Sequence, residues 1–490
     1  MISFLCKYFK IFCRILSNFF EYTSELLLKY ISTRGQSEPL NFEQVLMKGL
    51  AEDKGLYMPE VWPKFSMNEI SGLSNFSYPD LAFELMRPFI GDSLSLEEFS
   101  EIINKSYASF SHKDTTPLNQ INKNEYLLEL FHGPTLAFKD CAMQLLGSLF
   151  EHFLKKQGKK INIICATSGD TGAAAVEAFK NKDLINLVVL FPKNKISRVQ
   201  QKQMTTSDSN NIHCIAVEGT FDDCQAIVKN LLNNKQFKNK YNLSAVNSIN
   251  WVRVMAQVVY YFYAGLKLGS PKEKVNFSVP TGNFGDIFAG FSAYKMGLPI
   301  DVLCIATNSN DALERFLKNG EYIVENVKPT ISPSMDIQVA SNLERLLYES
   351  SGRKPEIIRD IMLDLGVNKK FNVDQFTLNS IKELFIATSV DEKSTKNTIK
   401  NVWDNNRVLI DPHTAVGVNA GRNSISNNNN TVYIATAHPA KFPDAINNSI
   451  GIFPELPSSV ANIMSREEAY SNVISKTESV QEYFERQIDL

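Results

Sequence analysis

The stretch Phe131-His132-Gly133-Pro134-Thr135-Leu136-Ala137-Phe138-Lys139-Asp140 decides how the rest of the chain is interpreted. An apolar run from Tyr126 to Phe131 leads into it and predicts a buried strand, which Gly133-Pro134 ends. After Lys139, apolar residues recur at intervals of three or four up to Phe153. This spacing predicts a helix that begins near Lys139 and buries one face.

Lys139 therefore stands where a predicted strand turns into a predicted helix. A helix N-terminus carries partial positive charge, and burial also disfavours an ammonium group, so both effects lower the pKa of a lysine placed there. Such a lysine can act as a nucleophilic amine. The alternative interpretation is a solvated lysine at the start of an exposed helix face, with Asp140 as an acidic residue of the first turn.

Composition limits the classes of protein to consider. The chain has 490 residues, of which 44% are hydrophobic and 21% charged, and this balance predicts a soluble globular protein of two or three domains. The net charge of −2 gives no reason to expect a nucleic acid or a membrane surface as partner. The seven cysteines have no CxxC spacing and the six histidines no HxxxH spacing. We therefore expect buried, reduced thiols, no metal centre and a cytoplasmic protein.

The order of patterns along the chain predicts its domains. Residues 1–29 form an apolar extension with scattered basic residues, expected to be amphipathic or poorly ordered, although organelle targeting stays open. Residues 30–125 predict a small, mostly helical domain without chemistry of its own. Strands and helices alternate from residue 126, which predicts two parallel-sheet α/β domains at 126–245 and 246–490. The predicted strands are Leu127–Phe131, Ile161–Thr167, Ile185–Phe191, Ile212–Val217, Val275–Val279, Val302–Ile305 and Val432–Ala435.

Two further turns join a predicted strand to a predicted helix and contain glycines. They are Thr167-Ser168-Gly169-Asp170-Thr171-Gly172 and Val279-Pro280-Thr281-Gly282-Asn283-Phe284-Gly285-Asp286. In each, the free N–H groups of the helix start suit a carboxylate or phosphate, and the alternative is an ordinary capped connection. The second turn lacks the P-loop lysine and the GxGxxG pattern, so a small phosphate group fits it better than a nucleotide.

A third polar stretch, Thr436-Ala437-His438-Pro439-Ala440-Lys441-Phe442, follows the strand predicted at Val432–Ala435. Polar groups at the carboxyl end of a parallel strand lie where such sheets bind ligands, although Pro439 alone explains a turn here. A lysine, a phosphate-binding turn and a strand-end hydroxyl together suggest pyridoxal phosphate. The lysine would form a Schiff base, the turn would hold the phosphate and the hydroxyl would face the ring nitrogen.

These motifs resemble those of the threonine synthase family, in the longer branch found in fungi and many bacteria. The resemblance runs from about Tyr30 to about Ile450, in the family's order. Further matching stretches are Tyr30–Gly35, Gln203–Thr206, Val246–Trp251 and Asp411–Gly417.

The resemblance implies a fold-type II pyridoxal-phosphate enzyme, a lyase of threonine biosynthesis. It implies that O-phospho-L-homoserine and water give L-threonine and phosphate. It also implies that Lys139 is the Schiff-base lysine and that Thr436 faces the pyridine nitrogen. The residues matching the family's cofactor loop are Gly282, Asn283, Phe284 and Asp286. The candidates for substrate contacts are Ser168, Thr171, Arg253 and Lys441, and for the last two the alternative is a structural ion pair.

The chain departs from the family pattern at Lys195 and Arg198, where arginine and proline are usual. Lysine cannot reproduce a bidentate arginine contact, and this departure keeps the first of two alternatives open. One is a threonine-synthase-like phospho-lyase that gives 2-oxobutyrate, ammonia and phosphate. The other is a cofactor-binding paralogue without catalysis. Activation by S-adenosylmethionine belongs to the shorter plant-type branch and is not expected.

Overall fold

The computed structural model describes residues 28–488. The extension predicted at residues 1–29 therefore lies, apart from its last two residues, outside the described residues. Residues 30–107 confirm the mostly helical N-terminal region. Side chains of Asn41, Ser66, Ser77 and Ser95 cap its four helices. Its elements are β1 (Tyr30–Ser32), α1 (Phe42–Lys48), β2 (Tyr57–Pro59), α2 (Met67–Gly72), α3 (Tyr78–Ile90) and α4 (Leu96–Tyr107).

The predicted alternation of strands and helices begins after this region. Apolar runs form the strands, and the next polar or glycine-containing turn starts each helix. The elements up to residue 245 are β3 (Leu118–Asn122), β4 (Glu125–Glu129), α5 (Lys139–Gln157), β5 (Ile161–Ala166), α6 (Asp170–Phe179), β6 (Ile185–Pro192), α7 (Arg198–Thr205), β7 (Ile212–Glu218), α8 (Phe221–Asn233), α9 (Lys235–Lys240) and β8 (Leu243–Ala245).

The alternation continues in the second half of the chain. Its elements are α10 (Trp251–Lys267), β9 (Val275–Pro280), α11 (Gly285–Lys295), β10 (Ile300–Thr307), α12 (Ala312–Asn319), β11 (Glu321–Ile323), α13 (Leu343–Ser350), α14 (Pro355–Asn368), β12 (Lys370–Asn372), α15 (Gln375–Lys382), β13 (Phe385–Ser389), α16 (Glu392–Asn406), α17 (Pro412–Ser424), β14 (Asn430–Ala435), α18 (Pro443–Ile450), β15 (Ser471–Ile474) and α19 (Thr477–Gln487).

The fold is built on two large sheets. One has six strands in the order β13-β10-β9-β14-β4-β3, all parallel except the antiparallel pair β3–β4. The other has five parallel strands in the order β15-β7-β6-β5-β8. The predicted parallel α/β architecture is therefore confirmed. Within residues 28–488 no helix combines the length and hydropathy that crossing a membrane requires.

The sheets do not follow the linear division predicted at residues 126 and 246. Strand β4 pairs with β14 in the six-stranded sheet, and β15 pairs with β7 in the five-stranded sheet. Residues 350–400 contribute β13, which pairs with β10. Hydrophobic periodicity reports local structure, whereas strand partners are selected by packing between segments distant in sequence.

Helix α10 lies in the interior, where it packs against α3, α5 and α11. Every residue from Trp251 to Leu266 is buried, as expected for a helix that is apolar on most faces. The polar side chains of Arg253 and Gln257 belong to this helix and are therefore held away from bulk water. Their burial has to be balanced by a polar partner.

Candidate active site

The carboxyl ends of four parallel strands, β4, β5, β9 and β14, lie around one cleft. Lys139 begins α5 after β4, and Asp170 begins α6 after β5. Residues 281–284 join β9 to α11, and Thr436 follows β14. Side chains or backbone from all four segments line the cleft. The carboxyl ends of parallel strands are the usual place for a ligand in this class of fold.

The Lys139 side chain points into this cleft and is only 9% exposed, so the interpretation as a solvated surface lysine is wrong. Its Nζ lies 3.3 Å from Oδ2 of Asp170 and 4.6 Å from the ring centre of Phe138. Burial lowers the pKa of the Lys139 amine, Asp170 opposes this, and the positive charges of Lys441 and Arg253 lower it further. The net direction is downward, as predicted for a lysine suited to nucleophilic chemistry.

Asp170 joins Lys139 to a second ammonium group. Its Oδ1 lies 3.0 Å from Nζ of Lys441 and accepts a 2.8 Å hydrogen bond from Nε2 of Gln200. Its Oδ2 also accepts a 3.4 Å hydrogen bond from the hydroxyl of Ser334. Burial by itself raises the pKa of Asp170, but the two lysines and the Gln200 hydrogen bond hold that pKa well below its usual value. Asp170 is therefore a carboxylate.

Residues 282–284 form the predicted anion-binding turn. Phe284 has a φ of +65° and directly precedes α11. Within residues 28–488, the backbone N–H groups of Gly282, Asn283 and Phe284 donate no hydrogen bond. A Cβ on Gly282 would lie 2.6 Å from the carbonyl oxygen of Ser334, so only glycine fits there. The turn offers successive N–H groups at a helix N-terminus, an arrangement suited to a phosphate.

Asp286, one residue into α11, is held by two tyrosines of α10. The hydroxyl groups of Tyr260 and Tyr261 donate to its Oδ1 over 2.6 and 2.8 Å. Its Oδ2 is buried and has no hydrogen-bond partner among the described residues. Burial raises the pKa of Asp286 to about 6 despite the two tyrosine hydrogen bonds. The hydrogen bonds of Asp286 therefore connect the predicted anion-binding turn to the buried helix α10.

Two cleft-lining groups of α10 also lack partners. Nε and one terminal nitrogen of Arg253, and Oε1 of Gln257, are buried without a hydrogen bond in the described part of the chain. Burial lowers the pKa of Arg253 to about 10, so the guanidinium still carries its charge near neutral pH. A buried, unpaired cation is costly unless an anion binds beside it. These groups indicate that the cleft binds an anionic ligand.

Residues around α13 hold the predicted anion-binding turn, residues 282–284, from the side facing away from the cleft. Asn342 donates from its backbone N (3.0 Å) and its Nδ2 (2.9 Å) to the carbonyl of Asn283. Arg345 donates in turn to the Oδ1 of Asn342 and to the carbonyls of Tyr57 (3.0 Å) and Ile249 (2.6 Å). With the Asn283 carbonyl held from behind, the N–H groups of the turn are left for a ligand.

The remaining candidates divide into two groups. Thr436 and Thr171 line the cleft, and the carbonyl of Thr436 accepts a 2.8 Å hydrogen bond from the N–H of Phe138. Ser168 and Lys441 are not among the residues that line it. Lys195 and Arg198, the two departures from the family pattern, are exposed at the start of α7 and likewise lie outside the lining. The roles of Ser168 and Thr171 stay predictions.

Sequence reasoning missed Ser334 and His413, both of which line the cleft. The N–H of Ser334 donates to Nε2 of His413 over 3.1 Å, and Nδ1 of His413 lies 2.7 Å from Oδ1 of Asp411. Because Nε2 accepts, Nδ1 carries the proton and donates to Asp411. The Asp-Pro-His sequence was a usable signal for this pair, whereas no pattern marks Ser334.

Three family models together match most of the chain. They are described as threonine synthase N terminus at residues 29–107, pyridoxal-phosphate dependent enzyme at 111–360 and threonine synthase, C-terminal, at 414–484.

Individual relatives agree with these models. A threonine synthase of Pseudomonas aeruginosa is 46% identical over 93% of this chain and 98% of its own length. The crystal structure of a pyridoxal-phosphate-bound threonine synthase from Brucella melitensis superimposes with a TM-score of 0.92 at 45% identity, covering 94% of this chain and 100% of that one. A human threonine synthase-like 2 protein is 34% identical over 89% of this chain and 92% of its own length.

Proposed function

Because the chain belongs to the threonine synthase family, we propose that it converts O-phospho-L-homoserine and water to L-threonine and phosphate, with Lys139 as the lysine that carries the cofactor. The chain is a fold-type II enzyme that depends on pyridoxal phosphate, and it forms threonine. The phospho-lyase and non-catalytic alternatives are not favoured, since both terminal family models are those of threonine synthase.

The cleft fits pyridoxal phosphate on its own chemistry. Free N–H groups of residues 282–284 suit the phosphate ester, and the amine of Lys139 opens into the same space. Thr436, at the end of β14, supplies the neutral hydroxyl expected opposite the ring nitrogen. When bound, the cofactor acts as an electron sink that labilises the bonds of the substrate's amino-acid carbon. The observation that carries the proposal is the burial of Lys139 beside this anion-binding turn.

Residues of the chain supply proton transfer and the contacts to the charged groups of the substrate. Nζ of Lys139, with its lowered pKa, is the group placed to take a proton from the substrate α-carbon. Arg253 is the buried cation whose N–H groups, without a partner in the described part of the chain, suit the leaving phosphate. Thr171, at the N-terminal turn of α6, is a candidate for the substrate carboxylate. Ser168 stays a candidate for a substrate contact only if it approaches the cleft in the complex.

We place the reaction in the cytoplasm. The five described cysteines, Cys141, Cys165, Cys214, Cys224 and Cys304, are buried and free, which fits a reducing compartment.

Product analysis tests the reaction. The full chain, loaded with pyridoxal phosphate, is incubated with O-phospho-L-homoserine, and phosphate, threonine and 2-oxobutyrate are measured together. We expect threonine and phosphate in equal amounts. Equal amounts of 2-oxobutyrate and phosphate without threonine would instead assign the phospho-lyase reaction.

A lysine substitution tests the assignment of the residue. Lys139→Ala should abolish turnover and the attachment of cofactor by borohydride reduction. The matched control is Lys182→Ala, because Lys182 is also largely buried beside a carboxylate, Glu151 at 2.6 Å, but lies outside the cleft. The control should keep both properties. Mapping of the reduced label to a lysine other than Lys139 would overturn the assignment.

A further inference from the structure

Lys441 is a completely buried lysine to which the proposed reaction gives no task. Its exposed fraction is 0%, and it lies outside the residues that line the cleft. Its Nζ donates a 2.7 Å hydrogen bond to the carbonyl of Thr135 and lies 3.0 Å from Oδ1 of Asp170. Both partners accept hydrogen bonds, so the ammonium form of Lys441 is held on two sides.

The same carboxylate faces Lys139. Asp170 uses Oδ1 for Lys441 and Oδ2 for Lys139, and the second contact is longer, at 3.3 Å. Two ammonium groups therefore share one buried negative charge. A buried surplus of positive charge is relieved when one of the two amines loses a proton. Lys139 holds its proton less firmly, because within residues 28–488 its Nζ makes one hydrogen bond, the longer contact to Asp170.

Other charged groups near Lys139 come from three further elements and from its own helix, α5. Arg253 of α10 adds a third cation, and Asp286 of α11 is a carboxyl whose pKa is raised to about 6 by burial. His413 of α17 lies close to Asp170 and is hydrogen-bonded to Asp411. Asp140 of α5 accepts from the N–H and hydroxyl of Thr135, at 2.8 and 2.7 Å. Among the residues that the structure describes, Lys139 and Lys441 are the two that form ion pairs with Asp170.

We propose that Lys441 is a positioning residue that acts through Asp170: it neutralises the shared carboxylate, so that the amine of Lys139 gives up its proton more readily. This rests on the proposed function of Lys139. With Lys441 uncharged, Asp170 would pair with Lys139 alone and hold it as an ammonium group. The free amine would then be scarcer, both for cofactor attachment and for proton transfer.

The pKa of Lys139 agrees in direction. Burial is the largest influence and lowers it, and the positive charge of Lys441 lowers it further, against the raising effect of Asp170. Removing the charge of Lys441 should therefore raise the pKa of Lys139. A like charge across one carboxylate, at an effective dielectric constant of about 20, shifts a pKa by about one unit or more.

The test follows attachment of the cofactor to Lys139 in the cofactor-free full chain. The deprotonated Lys139 nitrogen bonds the aldehyde carbon of pyridoxal phosphate, and the aldehyde oxygen leaves as water. Borohydride then adds hydride to that carbon while the nitrogen takes a proton from solvent. The rate of label incorporation, measured by mass at Lys139 from pH 5.5 to 10, rises with pH up to a break that reports the pKa of its amine.

Lys441→Gln removes the charge but keeps a donor for the Thr135 carbonyl. We expect its break to move upward by about one pH unit or more, with labelling about tenfold slower below the break. Lys441→Arg keeps the charge, so its break should stay near that of the parent chain. Asp170→Asn removes the carboxylate and should move the break in the opposite direction, downward. Shifts of opposite sign distinguish an electrostatic role from loss of structure.

Lys202→Gln is the matched control. Lys202 is also buried, donates to a backbone carbonyl, Arg466 at 2.7 Å, and lies 3.6 Å from the carboxylate of Glu468, but it lies outside the cleft. The break of Lys202→Gln should lie at the same pH as that of the parent chain. An unchanged break in Lys441→Gln, or shifts of the same sign in Lys441→Gln and Asp170→Asn, would overturn the inference. Absence of label at Lys139 in the parent chain would instead overturn the proposed function.

Discussion

Replacing Gly282 by alanine tests the phosphate-binding turn through a single added methyl group. The new Cβ would lie 2.6 Å from the carbonyl oxygen of Ser334 and 3.2 Å from the side chain of Ile337. The Ser334 backbone cannot move freely, because its N–H is bonded to His413 and its hydroxyl to Asp170. The turn itself must therefore shift, and its N–H groups lose their common direction.

Forcing an extra methyl group into a close-packed site costs about 1 to 3 kcal/mol. If this cost falls on the geometry that binds phosphate, the Kd for pyridoxal phosphate rises by about 5- to 150-fold, since 1.4 kcal/mol corresponds to a factor of ten. The assay is titration of the cofactor-free full chain with pyridoxal phosphate, followed by its visible absorbance. Thermal melts of the same samples show whether the variant is folded.

The control is Gly285→Ala, three residues along the same turn. The nearest neighbour of its Cβ would be Nδ2 of Asn342, at the ordinary contact distance of 3.4 Å, followed by the carbonyl oxygen of Ser248 at 3.8 Å, and alanine favours a helix. We expect a Kd within about threefold of the parent. If Gly282→Ala binds like the parent, or if both variants lose affinity equally, the turn does not hold the cofactor phosphate in the way its geometry indicates.

Two further predictions concern the surroundings of the turn. Arg345→Met leaves the buried carbonyls of Tyr57 and Ile249 without their donor, which costs about 1 to 3 kcal/mol for each carbonyl. The thermal midpoint of this variant should therefore fall, and Arg345→Lys should recover only part of the loss. A thermal midpoint equal to that of the parent chain would contradict a supporting role for Arg345. Asp286 has a folded-state pKa of about 6, above the value of an unfolded aspartate, so the stability contributed by its protonated form is present below about pH 4 and is lost as the pH rises through 6. The thermal midpoint of cofactor-free Asp286→Asn should therefore improve relative to the parent between pH 4 and 7, and a difference that does not change with pH would disprove the raised pKa.

The sequence predicted the local elements of the site well. Strand ends, glycines and helix starts are encoded within a few residues, so the turns at Lys139, Gly282 and Thr436 lie where the pattern indicated. The lowered pKa of Lys139 also followed from its position at a helix start and its burial.

Contacts between distant segments were beyond such reasoning. The ion pair between Lys441 and Asp170 joins residues 271 positions apart, so the sequence offered a substrate contact or a structural ion pair for Lys441 but could not identify Asp170 as its partner. Ser334 lies in a segment without apolar periodicity, so nothing local marks its approach to Gly282. Strand β4 was assigned to the same domain as β5, because adjacent strands in a sequence often pair.

The pairing of β15 with β7 has a consequence for synthesis of the chain. Strand β7 ends at residue 218 and its edge partner begins at residue 471, so a ribosome must add more than half of the chain before the five-stranded sheet can close. Until then β7 presents an open row of backbone N–H and C=O groups, the kind of edge that recruits other chains. Nascent or truncated chains that stop before β15 should therefore aggregate or engage chaperones, even though every residue of the active cleft is already present in them.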